Sequence, residues 1–223
     1  MNGVASADKH KSWVYYGQFD PPVDRTLHER YFLNASPNLT LIECGAFDGE
    51  LESTGKFFEE SLGWNAYNLE PSPKIYEQLD KNRPNAVNIN VALSDSIGTA
   101  EFVDVVHPDF DLCTNGSLRH GQEHAASLEE IGCKFQRSRI ETTTFDAFVE
   151  GFQLSEIELM ILDVEGHEPA VLERFKFAKV LPRVLCVEHG HLGVERLVPF
   201  LEPLGYRLDF VQFVNSFYVL DKS

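Results

Sequence analysis

Short apolar runs alternate with longer amphipathic segments along the chain from about Asn38 onward. This alternation is typical of buried parallel strands separated by helices that pack on the sheet. We therefore predict one α/β domain with a mostly parallel sheet. The predicted strands are 40–44, 65–70, 86–93, 157–164 and 184–189, and the predicted helices are 51–63, 72–82, 145–152, 168–176 and 193–205.

Other segments depart from that alternation. Residues 206–220 contain two β-rich runs with no helix between them, which indicates an antiparallel strand pair at the edge of the sheet. Residues 99–107 and 139–145 also have an extended pattern. The weakly periodic stretch at 108–138 is long for a loop inside a compact domain, and such loops are usually functional or mobile. We expect residues 106–136, which include most of this stretch, to form much of a substrate pocket.

Helical spacing also occurs near the N-terminus, where Val23, Leu27 and Tyr31 repeat every four residues. We expect this helix to pack across the sheet rather than to form a second domain. Residues 1–37 would then be a helical cover and residues 38–223 the catalytic core of a single domain.

Composition adds an acidic surface to this picture. With 43% hydrophobic and 24% charged residues the chain resembles an ordinary globular protein, and its 19 Lys and Arg against 35 Asp and Glu give a net charge of −16. This charge repels phosphate backbones and anionic lipid, so we expect no nucleic-acid or membrane-surface partner. No window approaches the roughly 20 apolar residues of a membrane span, and no signal peptide is recognisable, so we expect a soluble cytoplasmic protein.

The first predicted strand leads into a glycine-containing turn, and the spacing of this turn discriminates between cofactors. A dinucleotide fingerprint in register with Gly45 would need glycine at 43 and 48, where Glu43 and Asp48 stand. Two carboxylates would repel a pyrophosphate, which disfavours an NAD-dependent oxidoreductase. S-adenosylmethionine has an ammonium, a sulfonium and no phosphate, and therefore suits the spacing Glu43, Gly45 and Gly49.

An acidic residue at the end of the second predicted strand strengthens this assignment. Glu70 ends this strand, 27 residues beyond Glu43. A carboxylate at this position in an α/β sheet can accept hydrogen bonds from both ribose hydroxyls of a nucleoside cofactor. The alternative is a tight turn and a solvated acid without a ligand, since glycine turns are common between strands and helices.

Polar residues cluster after the strand predicted at 157–164. Asp163, Glu165, His167 and Glu168 lie within six residues after an apolar run, at the kind of strand end where α/β sheets bind ligands. A buried carboxylate such as Asp163 costs several kcal/mol unless it is paired or ligated. Glu165 and His167 are candidate general bases, because a hydroxyl acceptor needs its proton removed. An exposed histidine at a helix start is the alternative for His167.

A second polar group follows the strand predicted at 184–189. Glu188 and His189 end this strand, and His191 comes shortly after. Neighbouring parallel strands would bring Asp163, Glu188 and His189 together, a ligand set that suits Mg²⁺ or another divalent ion. Alternatively, Glu188 and His189 bind substrate hydroxyls or each other.

Six further segments follow one another along the chain: LIECGAFDGE, NLEPSPKIYEQL, NVALSDSIGTAEF, TTTFDAF, LMILDVEGHEPAVL and VLCVEH. In this order, over roughly residues 38–220, they resemble the FkbM family of S-adenosylmethionine-dependent methyltransferases. The N-terminal YYGQFDPPVD also resembles the short entry motif of that family, which contains Gln and Asp. The resemblance implies a Rossmann-like, seven-stranded class I methyltransferase sheet with the cofactor at the carboxyl ends of its first strands. It also implies O-methylation of sugars or secondary metabolites.

The resemblance also implies roles for individual residues. Glu43, Gly45 and Gly49 would contact the methionine part of the cofactor, and Glu70 the ribose. Gln18 and Asp20 would close over the cofactor, although they could equally form a loop that only starts a helix. The adenine would lie against Ala92 and Leu93, with Ser94 or Asp95 near its amino group.

The function expected from the sequence is O-methylation of a hydroxyl on a sugar, a glycosylated product or another secondary metabolite. Asp163, Glu165 and His167 would orient and deprotonate this small-molecule or saccharide acceptor. Two alternatives are a non-catalytic binding module that keeps the cofactor fold, and an N-methyltransferase acting on a small amine that an acidic pocket attracts.

Overall fold

The strands of the protein form two sheets. A computed structural model describes residues 13–109, 111–118, 122–190 and 192–221. Within these ranges the strands are β1 (Thr40–Cys44), β2 (Asn65–Leu69), β3 (Val87–Ile89), β4 (Ala92–Leu93), β5 (Gly98–His107), β6 (Asp111–Leu112), β7 (Lys134–Thr143), β8 (Leu159–Leu162), β9 (Val184–Glu188), β10 (Tyr206–Gln212) and β11 (Asn215–Leu220).

Helices connect most of these strands. None of the helices described is long and apolar enough to cross a membrane. The α-helices are α1 (Val23–Leu27), α2 (Thr54–Leu62), α3 (Pro73–Asn82), α4 (Gln122–Glu130), α5 (Phe145–Gly151), α6 (Glu168–Leu172) and α7 (Val198–Leu201), and the shorter turns are one π-helical turn (His28–Phe32) and 3₁₀ turns at Phe175–Phe177, Val194–Arg196 and Glu202–Leu204.

The larger sheet confirms the predicted fold. Its strand order is β10-β11-β9-β8-β1-β2-β3 in the described part of the chain, and all of its strands are parallel except β11, which runs antiparallel to β9 and β10. The chain moves outward from β1 to β3 and then returns to β8 on the other side of β1. The carboxyl ends of β1 and β8 therefore flank the crevice in which such sheets bind ligands.

The central strands are apolar throughout because both faces of the sheet are covered. On β1, the side chain of Leu41 belongs to a core with Phe57 and Phe58 of α2, whereas Ile42 belongs to a core with Phe145 and Phe148 of α5. Successive side chains of a strand point to opposite faces, so each core needs its own apolar residue.

The strand predicted at 86–93 is two strands in different sheets. Its first half is β3, which pairs with β2, and its second half is β4, which pairs in parallel with β7. The chain turns between them at Asn90, whose side-chain amide donates to the carbonyls of Glu70 and Pro71. Apolar patterning does not reveal this turn, because apolar residues alternate with other residues without interruption from one half into the other.

The smaller sheet was not predicted. Its order is β4-β7-β5-β6, and an antiparallel ladder joins β5 to β7 from Gly98–Thr142 to Val106–Lys134. The weakly periodic stretch predicted at 108–138 therefore contains β6, α4 and the first half of β7. Polar residues occupy much of β7, which is half exposed, and this conceals its alternation.

The predicted N-terminal helix is present as α1 followed by the π-helical turn. Val23 and Leu27 are buried in the core formed with α2. Buried Asp24 accepts a hydrogen bond from the backbone N–H of Tyr16 at 2.7 Å, and so holds the preceding segment against the helix. Burial raises the pKa of Asp24 to about 6.

Candidate active site

A cavity of about 370 Å³ opens at the carboxyl ends of β1, β2, β8 and β9. The larger sheet supplies its floor, and β5 with the following segment 113–118 supplies part of its wall. Among the predicted site residues, the lining includes Gln18, Glu43, Gly45, Glu70, Ala92, Leu93, Asp163, Glu165, His167 and Glu188.

The glycine turn after β1 lies against the end of β8. The φ angle of Gly45 is +81°, and a Cβ placed on it would lie 1.9 Å from the carbonyl oxygen of Asp163. The backbone N–H of Asp163 in turn donates to the carbonyl of Cys44. Only glycine can adopt this conformation and also lie this close to the Asp163 carbonyl. Gly45 therefore allows the ends of β1 and β8, which border the cavity, to pack together.

Glu43 lies at the base of this turn and is bound by the protein itself. Its carboxylate accepts hydrogen bonds from the backbone N–H of Gly55 at 2.8 Å and from the Ser53 hydroxyl at 3.2 Å. The Arg83 guanidinium is 3.8 Å from Glu43 Oε2. Burial raises the pKa of Glu43, and the Arg83 charge opposes that rise. Its predicted contact with the cofactor therefore stays a prediction.

Arg83 is the site-supporting residue that the sequence did not reveal. It is only 1% exposed, and its side chain also donates to Ser53 at 2.9 Å and to Glu59 at 2.6 Å. A Cβ on Gly49 would lie 2.6 Å from Arg83 Cγ, and the φ angle of Gly49 is +75°. Gly49 thus allows the turn to pack on Arg83. An arginine just after an amphipathic helix gives no signal of this burial.

Glu70 faces the cavity from the end of β2. It is 5% exposed, and its carboxylate accepts hydrogen bonds from the backbone N–H of Phe47 at 3.1 Å and of Ser72 at 2.8 Å. Burial raises the pKa of Glu70 to about 8, partly offset by these two hydrogen bonds. The carboxyl group is therefore fixed in orientation and lies where it can meet hydroxyl donors.

The predicted adenine wall lies next to His167. Ala92 and Leu93 are buried on the cavity wall, and the Ser94 hydroxyl is 3.0 Å from Nε2 of His167. Asp95 is hydrogen bonded to Ser94 at 3.4 Å but does not line the cavity. His167 thus contacts the wall on which adenine was predicted. The position of His167 in the sequence, shortly after β8, does not indicate this contact.

Glu165 is held in a constrained loop after β8. Its φ angle is +54°, a conformation that is uncommon for residues other than glycine. The Ser117 hydroxyl donates to its carbonyl at 2.9 Å, and the Asn115 amide lies 3.4 Å from its carboxylate. Residues next to the smaller sheet therefore position a candidate base from the larger one.

Asp163 lies within a group of carboxylates. One oxygen each from Asp163, Glu168 and Glu188 lies within 4.8 Å of the others. Burial raises the pKa of Asp163 well above its usual range, and the neighbouring charges of Glu188 and Glu165 raise it further. Asp163 and Glu188 are two of the three predicted metal ligands.

The third predicted ligand, His189, is not part of this group and does not line the cavity. Its backbone N–H donates to the carbonyl of Val214 at 2.7 Å, and burial lowers the pKa of its imidazole. Glu168, from the start of α6, completes the group instead. His191 lies outside the described residues.

A family model described as the methyltransferase FkbM domain matches residues 43–208, most of the chain. The chain belongs to the FkbM methyltransferase family. This confirms the resemblance noted in its motifs. No curated protein matches its sequence.

Solved methyltransferases resemble this FkbM domain at low sequence identity. The crystal structure of the FkbM methyltransferase from Methylobacillus flagellatus KT has a TM-score of 0.50 and 12% identity, over 88% of this chain and 47% of that one. This chain thus spans about half the length of that protein, and the likeness concerns the fold alone. A TehB-like SAM-dependent methyltransferase from Corynebacterium glutamicum ATCC 13032 Kitasato has a TM-score of 0.44 and 11% identity over 89% of this chain and 86% of that one. A precorrin-6y C5,15-methyltransferase from Geobacter metallireducens GS-15 has a TM-score of 0.44 and 13% identity over 88% and 85%, respectively.

Gln18 and Asp104 both line the FkbM cavity. Gln18 lines it from the N-terminal segment, whereas Asp20 does not, so their joint closure over a cofactor stays a prediction. Asp104 of β5 also lines the cavity and was not predicted. It shares a buried face with Phe102, and an acid on the apolar face of a strand is the signal that could have identified it.

Proposed function

We propose that this FkbM domain binds S-adenosylmethionine and catalyses transfer of its methyl group to a hydroxyl of a small-molecule acceptor. The acceptor class we propose is a sugar, a glycosylated product or another secondary metabolite. The observation that supports the proposal is one cavity that joins the glycine turn, the buried carboxyl of Glu70 and the carboxylates after β8 and β9.

The described residues fit the cofactor. Glu70 is a buried, oriented acceptor for the two ribose hydroxyls, and Ala92 and Leu93 offer an apolar surface to adenine. Gly45 is exposed toward the cavity and leaves the backbone accessible. When bound, the cofactor supplies a methyl group activated by its sulfonium.

The chain's own residues would then position and deprotonate the acceptor. Methyl transfer is an in-line displacement, so the acceptor oxygen must lie about 3 Å from the methyl carbon. Asp163 and Glu165 line the same cavity as Glu70, on its acidic side, and can hold a hydroxyl by hydrogen bonding. Glu165 or His167 would accept the proton of the acceptor hydroxyl while its oxygen takes the methyl group that the cofactor would supply.

The acidic lining also supports a second candidate, N-methylation of a small amine. Asp104, Asp163, Glu165 and Glu188 all face the cavity and would attract a protonated amine. Acceptor screening distinguishes the two, because mass spectrometry of the product locates the added methyl group on oxygen or nitrogen. If S-adenosylhomocysteine forms but no acceptor of either class is methylated, the result would indicate slow hydrolysis of the cofactor. If no S-adenosylhomocysteine forms at all, the result would favour a binding module.

The cofactor assignment is tested by calorimetric titration with S-adenosylmethionine. We expect saturable binding to the wild type and a loss of affinity of about tenfold or more in Glu70→Ala, since the ribose hydroxyls lose the carboxyl group that accepts their hydrogen bonds. Glu77→Ala is the control, because Glu77 is an exposed carboxylate on neighbouring α3. Unchanged affinity in Glu70→Ala, or no binding to the folded wild type, would show the assignment to be wrong.

A further inference from the structure

We infer that Asp163, Glu168 and Glu188 form a binding site for a divalent cation of the Mg²⁺ or Mn²⁺ class. One carboxylate oxygen from each residue lies within 4.8 Å of the other two. The three residues come from the end of β8, the start of α6 and the end of β9, so the parallel sheet itself brings them together.

Glu168 supplies the decisive observation. It is fully buried, and its Oε1 accepts hydrogen bonds from the backbone N–H groups of Val164 at 3.0 Å and Gly166 at 3.2 Å. Its Oε2 is buried as well and has no hydrogen-bond partner among the described residues. An unpaired buried carboxylate oxygen is costly, and a cation would remove that cost.

The surrounding charges favour a cation from solution. Within the described part of the chain, neither Asp163 nor Glu168 forms an ion pair with a lysine or arginine. The charged groups that surround Asp163 are the carboxylates of Glu188, Glu165, Glu168 and Glu43. Nearby Arg83 is already bound to Glu59 and Ser53. The carboxylates of Asp163 and Glu168 therefore need either protons or a metal ion.

The ligand chemistry selects the class of ion. Three carboxylates are hard oxygen donors, which suit Mg²⁺, Mn²⁺ or Ca²⁺ better than metals that prefer sulfur or imidazole. Asp163 and Glu188 line the cavity, so the side of the cluster away from Glu168 is open to water or a ligand oxygen. If the proposed O-methylation is correct, this open side would let the acceptor hydroxyl bind the ion and lose its proton more easily.

The site is tested without cofactor or acceptor, by titrating the folded protein with Mn²⁺ and following free Mn²⁺ by electron paramagnetic resonance. We expect saturable one-to-one binding to the wild type near neutral pH, competed by Mg²⁺. Glu168→Gln keeps the shape of the side chain but removes one charge, and we expect it to weaken Mn²⁺ binding by about tenfold or more. Glu173→Gln, an exposed position just after α6, removes the same charge and should bind like the wild type.

Thermal unfolding gives a second measurement that does not depend on one variant. Mn²⁺ should raise the midpoint of the wild type and of Glu173→Gln, but not that of Glu168→Gln or Asp163→Asn. Absence of one-to-one binding to the wild type, or equal binding by Glu168→Gln, would show that the cluster is held by shared protons instead. Either result would leave the cofactor titration unaffected, so this inference and the proposed function fail separately.

Discussion

Single residues divide the cavity into two chemical ends. Glu70 lies at one end, fixed by two backbone N–H groups, and the carboxylates of Asp163 and Glu165 lie at the other. His167 belongs to neither end alone, because it lines the cavity while its Nε2 contacts Ser94 on the predicted adenine wall. An experiment must therefore distinguish its predicted role as a base from a role in cofactor binding.

Glu165→Gln and His167→Ala separate these roles. General-base catalysis contributes about 10²–10⁴-fold, so loss of the base should lower kcat in that range with little change in cofactor Kd. Steady-state kinetics and calorimetry measure the two quantities. Ser94→Ala serves as the control for His167, since it removes the contact at 3.0 Å and leaves the imidazole in place. A weaker cofactor Kd with unchanged kcat in His167→Ala would assign His167 to the adenine wall.

At the scale of secondary-structure elements, the junction between β1 and α2 positions the site. The turn reaches β8 through Gly45, while Glu43 of β1 binds the first turn of α2 through Gly55. Arg83, just after α3, connects the same region to Glu59 of α2. Strand and helix ends are thus fixed relative to each other by a buried polar network.

Substituting Gly45 by alanine tests this junction. The new Cβ would meet the Asp163 carbonyl at 1.9 Å, and alanine is strained at a φ angle of +81°. We expect Gly45→Ala to lower the free energy of unfolding by about 3 kcal/mol and to abolish cofactor binding, as followed by denaturant unfolding and calorimetry. Gly151→Ala is the control, because a Cβ there meets nothing within 4 Å. Equal stability of the two variants would contradict the close approach.

At the scale of the whole molecule, buried carboxyl groups make stability depend on pH. The pKa of Glu70 is raised from 4.5 to about 8, so the folded state retains a proton that the unfolded chain has lost. This stabilising contribution is complete below about pH 4.5 and is lost as pH rises toward 8. Buried His28 and partly buried His189 have lowered pKa values and act in the opposite direction, but only up to about pH 6.5.

We therefore expect Glu70 alone to lower the free energy of unfolding by about 2 kcal/mol between about pH 6.5 and 8 when neither cofactor nor divalent cation is present. Denaturant unfolding in the presence of EDTA measures the free energy of unfolding at each pH. The net charge of −16 acts in the same direction, and added salt should reduce that part. Glu70→Gln does not titrate and should show a smaller fall than the wild type. An equal fall in both proteins would contradict a pKa of about 8 for Glu70.

The resemblance of its motifs to the FkbM family implied the seven-stranded sheet. The sequence by itself determined the α/β class, a mostly parallel sheet, the glycine turn and the carboxylates at the strand ends. These features are local, because apolar periodicity and residue type report which segments are buried and where a strand stops. Glu70 and Asp163 were found in this way, and both face the cavity.

Only the tertiary structure decided how residues from separate segments meet. It brought Arg83 under the glycine turn, Ser94 to His167, and Glu168 rather than His189 to the carboxylates of Asp163 and Glu188. It also paired β4 with β7 in a second sheet. These contacts depend on chain crossovers and on the direction of each side chain, and local hydrophobic patterning carries information about neither.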